Sequence, residues 1–262
     1  MILIKYGGHV LDNPKSNEEI IKTIAEFHTS GQQVVVVHGG GPAINEELRI
    51  HNIESEMVHG YRKTSPEAME IVQQTLCGGV LRNLTNSFIG YGVNAVGIST
   101  GDGGTLRAQK FTPIADGESV DIGLVGEPTL VDPAFLNLLL SNGYLPIISP
   151  VAVQEDGQAL NINGDIAAGA IAGALEATEI LFITDVAGIY RNWPDPESII
   201  TEITQEELAG ISETFADGMA PKVKAVLTAL ASGARRARII DGRDISNLHS
   251  VLQGHGGTVV TK

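Results

Sequence analysis

The chain has 262 residues, 43% of them hydrophobic but only 5% aromatic, with 31 glycines and a formal net charge of −14. That length supports one large core or two lobes on a shared sheet, and the acidity excludes the basic surfaces that nucleic acid or an anionic membrane would select. The single cysteine, Cys77, rules out a disulfide framework, and no apolar run reaches the ~20 residues of a membrane span.

The opening MILIKYGGHV turns glycine-rich too soon for a signal peptide, so a cytoplasmic protein is expected. Its first strand is Ile2–Tyr6, ending in Lys5-Tyr6-Gly7-Gly8, and a helix over Glu18–Ser30 follows, with Gly31 at its expected C-terminus. Val34–Val37 is an uninterrupted apolar strand. His38 and the glycines Gly39–Gly41 lead from it into a helix over Ala43–Ile50. Ser65-Pro66-Glu67, an N-cap followed by proline at the first helical position, opens a helix that runs from Pro66 to Tyr91.

Ala95–Ser99 is the next strand. From Thr105 to Pro128 the pattern is irregular and reads as short antiparallel strands or hairpins attached to the main sheet. A helix over Pro133–Ser141, closed by Gly143, precedes the strand Leu145–Ile148. Asn161-Ile162-Asn163-Gly164-Asp165 then enters a small-residue helix at Ile166–Leu175. The strand Ile180–Ile183, a helix over Lys222–Ser232 ending at Gly233, and the strand Arg238–Ile240 complete the series. Continuous apolar strands separated by helices predict an α/β fold, a three-layer αβα sandwich around a mainly parallel central sheet. A lobe boundary is placed near Leu175–Thr178, giving lobes over residues 1–175 and 176–262.

Ligands of such sheets bind beyond the carboxyl ends of the strands, where the unusual sequences of this chain cluster. Lys5 reads either as a surface lysine or as a cation that meets a phosphate, with Gly7 and Gly8 bringing backbone N–H groups close. Lys222 sits at a helix start, where a positive charge is unfavourable unless an anion joins it. Asp165 either offsets a helix dipole or orients the two lysines. Three glycines at 39–41 require a tight turn or a close approach to the backbone. His38 reads as a histidine bonded to backbone at a strand end, and Cys77 as a packed thiol. There is no G-x-x-x-x-G-K-[ST], no G-x-G-x-x-G opening the first helix, no G-x-S-x-G and no metal-spaced His/Cys cluster.

The segments KYGG, VVVVHGGGPAIN, GYRKT, LNINGDIAAGAIA, ITDVAGIY and DGMAPKV, in this order, resemble the amino-acid-kinase family from Ile2 to about Val260. The resemblance implies a two-lobed fold and transfer of a phosphoryl group from ATP, with Mg²⁺ held mainly by nucleotide phosphates and water. The acceptor it implies is the side-chain carboxylate of N-acetyl-L-glutamate, giving N-acetylglutamyl 5-phosphate in arginine biosynthesis. Lys5 and Lys222 would flank the transferred group, with Asp165 holding both, while Gly8, Gly40 and Gly41 donate N–H groups. Arg62 would grip the α-carboxylate and Asn161 the acylated amino end, with Asn163 behind it. Gly7, Gly8, Asp185, Gly188, Tyr190, Phe215 and Gly218 are expected to bind the nucleotide.

A homodimer without strong arginine feedback is also implied, with Pro66–Leu76 as its interface helix. Departures from the pattern are Gly164, usually Ala, and the stretches NWPDPESIITEI and GHGGTVV. Those stretches resemble relatives that phosphorylate aminoadipate or glutamate on an acidic carrier protein. A chain of charge −14 is a poor match for such a carrier. A non-catalytic sensor on the same fold would be expected to lack Lys5, Lys222 or Asp165, and all three are present.

Overall fold

The computed structural model describes residues 1–7, 14–58, 60–115, 118–215, 219–242 and 245–262. Strands are β1 (Ile2–Tyr6), β2 (Val34–His38), β3 (Met57–Val58), β4 (Tyr61–Arg62), β5 (Ala95–Ser99), β6 (Leu106–Lys110), β7 (Ile114–Ala115), β8 (Glu118–Ser119) and β9 (Val125–Val131). They continue with β10 (Leu145–Ser149), β11 (Val151–Val153), β12 (Ala159–Ile162), β13 (Glu179–Thr184), β14 (Ile189–Tyr190), β15 (Ile199–Ile200), β16 (Glu202–Thr204), β17 (Arg236–Asp241) and β18 (Thr258–Thr261). Helices are α1 (Pro14–Thr29), α2 (Gly41–Ile50), α3 (Pro66–Gln73), α4 (Leu81–Gly90), α5 (Ala134–Ser141), α6 (Gly164–Ala174), α7 (Gln205–Gly210), α8 (Ala220–Ala231) and α9 (Ile245–Leu252).

An eight-stranded sheet in the order β16-β18-β17-β13-β1-β2-β10-β5 forms the middle layer, parallel except where β17 meets β18. Successive side chains of a strand point to opposite faces, and the central strands obey this strictly. Leu3, Val35, Val37, Ile148 and Phe182 share one core with residues of α5, α6 and α8. Ile4, Tyr6, Val34, Val36 and Leu181 share the other with α1, α4 and α9. Burying each such aliphatic side chain contributes roughly 1.5–3 kcal/mol, which explains why these runs are apolar without interruption. The expected three-layer αβα sandwich is therefore the observed fold. Between the interior strands β17 and β13, Arg238, fully buried, is bonded to Glu179 at 2.5 Å and to the Gly254 carbonyl at 3.0 Å.

Two expectations change. The segment from Thr105 holds the expected short antiparallel pairs, β6 with β9 and β7 with β8, but they are not attached to the main sheet: β6, β9, β11 and β12 close into a separate barrel. Pro150 separates β10 from β11 and so ends the ladder of the main sheet. A register shift at Arg107/Ala108 then bends β6 against β9. A Cβ at Gly126 would lie 2.9 Å from the Leu160 Cβ, so glycine lets β9 and β12 close tightly. The stretch Pro66–Tyr91, expected as one helix, changes winding: α3 and α4 flank a π-helical turn over Gln74–Val80. That wide turn holds Leu76 fully buried against the glycine loop.

Helix α6 lies unusually close to α8. A Cβ on Gly169 would come within 2.7 Å of the Ala229 Cα, and one on Gly173 within 1.8 Å of the Ser232 carbonyl oxygen. Both obstacles are backbone, so neither can give way without moving a helix. Gly173→Ala is expected to destabilise the protein by about 1–3 kcal/mol through this clash, read as a lower denaturation midpoint in urea at an unchanged slope.

Candidate active site

Strand β1 ends in Lys5 and Tyr6 between β2 and β13, with Lys5 in register with Val37 and Phe182. This puts Lys5 at the carboxyl end of the most central strand, where α6 also begins. Asn163 caps α6, its side chain accepting from the N–H groups of Asp165 (2.9 Å) and Ile166 (3.3 Å). The cap turns the Asp165 carboxylate onto Lys5, with Nζ and Oδ1 2.8 Å apart. Helix α2 starts at Gly41 with no side-chain cap, so its first N–H groups remain available to an anion.

Lys5, Gly40, Gly41, Arg62, Asn161, Asn163 and Asp165 all line one cavity of about 280 Å³. Three cationic or N–H sources thus converge with two asparagines, Asn161 on β12 and Asn163 at the cap of α6. Leu76 closes the floor: a Cβ on Gly40 would meet its Cδ2 at 2.5 Å. Gly41 has open space in front of it. The Arg62 guanidinium donates to the Ser55 hydroxyl and, at 3.4 Å, to the Gly41 carbonyl. Partial burial holds its pKa below the ordinary arginine value.

Lys222 lies in the first turn of α8, which has no side-chain cap. The sequence suggested Asp165 as the partner of both lysines, whereas the structure gives Lys222 a carboxylate in Asp185, 3.0 Å away. Asp185 follows β13, the neighbour of β1, so both pairs stand at the same end of the sheet. Gly7 is buried and its N–H donates to the Ile183 carbonyl at 3.2 Å. Gly188 is packed tightly: a Cβ there would lie 2.4 Å from the Thr258 hydroxyl. Tyr190 is buried with its ring edge-on to Trp193 at 5.1 Å, and Phe215 is part of the core. All three positions are closely packed. Gly8 and Gly218 lie outside the described residues.

Thr64 escaped the sequence reading. It is fully buried, donates to the Arg62 carbonyl at 2.7 Å and accepts from the Asn161 side chain at 3.2 Å, tying both together. Its place inside GYRKT was the available signal. His38 is bonded to backbone as expected, Nδ1 lying 2.7 Å from the Gly39 carbonyl. Cys77 is a packed thiol 3.1 Å from the Ser149 hydroxyl, and burial pushes its pKa up.

A family model of the amino acid kinase family matches residues 1–241. The chain belongs to the amino acid kinase family. It is 44% identical to an acetylglutamate kinase of Paenarthrobacter aurescens, over 92% of this chain and 80% of that one. It is 42% identical to an acetylglutamate kinase of Kineococcus radiotolerans, over 99% and 90%. A solved structure from Streptococcus mutans superposes with a TM-score of 0.80 at 26% identity, covering 99% of this chain and 98% of that one. This chain is a kinase, an enzyme of the phosphotransferase class. Among the described residues no helix is long and apolar enough to cross a membrane.

Two outcomes follow from the glycine loop. A side chain at Gly41 would project into open cavity rather than into protein, so Gly41→Val should keep the melting temperature within about 4 °C, ~1 kcal/mol or less, while raising the KM for the acceptor at least about tenfold. Burial lowers the His38 pKa from 6.5 to about 4. Protons therefore bind the unfolded chain preferentially between these values. The stability His38 contributes is complete above pH 6.5 and is lost as pH falls toward 4, roughly 3 kcal/mol in all. His38→Gln should flatten that part of the stability–pH profile measured by urea denaturation.

Proposed function

We propose that the protein transfers the γ-phosphoryl group of ATP to the side-chain carboxylate of N-acetyl-L-glutamate, giving N-acetylglutamyl 5-phosphate and ADP. The observation that carries this reading is the convergence of Lys5, the Gly40–Gly41 loop, Arg62 and Asn161 on one cavity, in a chain over 40% identical to acetylglutamate kinases. The cavity's size suits a small dicarboxylic acid rather than a peptide.

A carboxylate acceptor is already ionised at neutral pH, so no general base is required. One of its oxygens attacks phosphorus as the bond to the β-phosphate oxygen breaks, and ADP leaves. The difficulty is electrostatic, since an anion must approach a polyanion. Lys5, with the N–H groups of Gly40 and Gly41 at the start of α2, neutralises charge on the acceptor side. Lys222 does so on the donor side, where β13 and its loop would receive the nucleotide. Asp165 and Asp185 keep the two ammonium groups aimed, which fixes positions before reaction rather than during it. Arg62 offers a fork to the α-carboxylate and Asn161 an amide to the acetamido group, with Thr64 bracing both.

Both carboxylates near the transfer line are ion-paired to lysines. That donor set suits a magnesium ion carried on the nucleotide's own phosphates, where it would screen their charge. The lobes of residues 1–175 and 176–262, a homodimer through the Pro66–Leu76 face and a cytoplasmic place in arginine biosynthesis belong to the same reading. The Gly164 departure leaves the site unaltered: a methyl there would meet the Lys5 Cε at an ordinary 3.9 Å.

ATP turnover with a panel of acceptors, trapped as hydroxamates, tests the assignment. N-acetylglutamate should be the best acceptor, ahead of free glutamate, aspartate, carbamate and carrier-bound aminoadipate or glutamate. A preference for a carrier-bound substrate would replace it. Lys222→Ala should lower kcat by about 100-fold or more, and a loss within threefold would refute the charge-stabilising role.

A further inference from the structure

A contact outside the inner cavity connects the helix that carries Lys222 with the hairpin that carries Arg62. Lys224, exposed on α8, places its Nζ 5.5 Å from the centroid of the Tyr61 ring. Tyr61 is half-buried, lines the cavity and precedes Arg62 on β4. Its ring is held from another direction by Phe111, at 4.8 Å between centroids and 45° between planes. Phe111 is anchored in turn by its N–H, which donates to the Val125 carbonyl at 2.8 Å. The aromatic face is thus fixed by the barrel, and only the lysine side comes from α8. Burial and the nearby Glu127 carboxylate hold the Tyr61 phenol above its ordinary pKa, which keeps the ring neutral.

We propose that Lys224 is a positioning residue whose ammonium, seated on the Tyr61 ring, couples the β3–β4 hairpin to α8 and so aligns Lys222 with an acceptor held by Arg62. Two features favour this over a generic surface charge. The ring is pre-oriented by Phe111, and a cation over a fixed aromatic face is held directionally. Lys224 also lies two residues beyond Lys222 on the same short helix, so a restraint on one limits the other. The inference rests on the reading of the cavity as the acceptor site.

The test is a double-mutant cycle on the full-length enzyme with saturating ATP. Wild-type turnover of N-acetylglutamate comes first, because its absence would reject the acceptor assignment alone. The cycle would then be run with whichever acceptor of the panel is used. Lys224→Met is expected to lower kcat/KM for the acceptor about two- to fivefold, the scale of an exposed cation–π contact, with the KM for ATP and the melting temperature unchanged. Lys224→Arg should restore the wild-type value, since guanidinium also stacks on aromatic faces. Tyr61→Phe should keep the coupling, and in a Tyr61→Leu background Lys224→Met should have no further effect. A loss that persists undiminished in the Tyr61→Leu background would overturn the proposal in favour of simple charge attraction. Wild-type kinetics for Lys224→Met would also overturn it.

Discussion

Lys5 and Asp165 come from distant parts of the chain and meet at 2.8 Å, where the end of β1 faces the start of α6. Most of the architecture serves to make that meeting possible. An ammonium at the end of a buried strand and a carboxylate in the first turn of a helix are each costly to desolvate alone. Together they leave a directed positive charge at the cavity wall. The pair is only partly shielded from solvent, so its contribution to stability is modest, and its value lies in orientation.

What fixes the pair is close packing on both sides. β1 is clamped between β2 and β13 with no register freedom, because a slip by one residue would exchange the two cores that Leu3 and Ile4 serve. Helix α6 is seated by small residues that let it press on α8 at backbone distance. The same contact sets where Lys222 can stand relative to Asp165. Stability and site geometry are therefore one problem here, solved by glycines at 169 and 173 that have no role in chemistry themselves.

Much of this was legible from patterns. The apolar runs of β1, β2, β10 and β13, the Ser65 cap and the glycines at 31, 143 and 233 all carry local signals, and those elements lie where expected. The glycine loop and Lys5 stood out by pattern, because glycine runs and lone cations at strand ends are rare, whereas Arg62 and Asn161 were reached only through the family resemblance. The barrel was not legible, since strand closure depends on which partners β6 and β9 find rather than on their own alternation. Nor was the π turn at Gln74–Val80, whose residues would suit an ordinary helix and whose winding answers to Leu76 packing beneath Gly40.

The sequence by itself determined the layers, the order of the elements and the inventory of charged groups at the carboxyl end of the sheet. Hydrophobic periodicity and capping chemistry act within a few residues and need no partner to be read. The tertiary structure alone decided which carboxylate faces which lysine, that Thr64 joins Arg62 to Asn161, and that Lys224 lies over Tyr61. Such pairings depend on distances between elements far apart in the chain, and those distances are set by how closely whole helices and strands can pack.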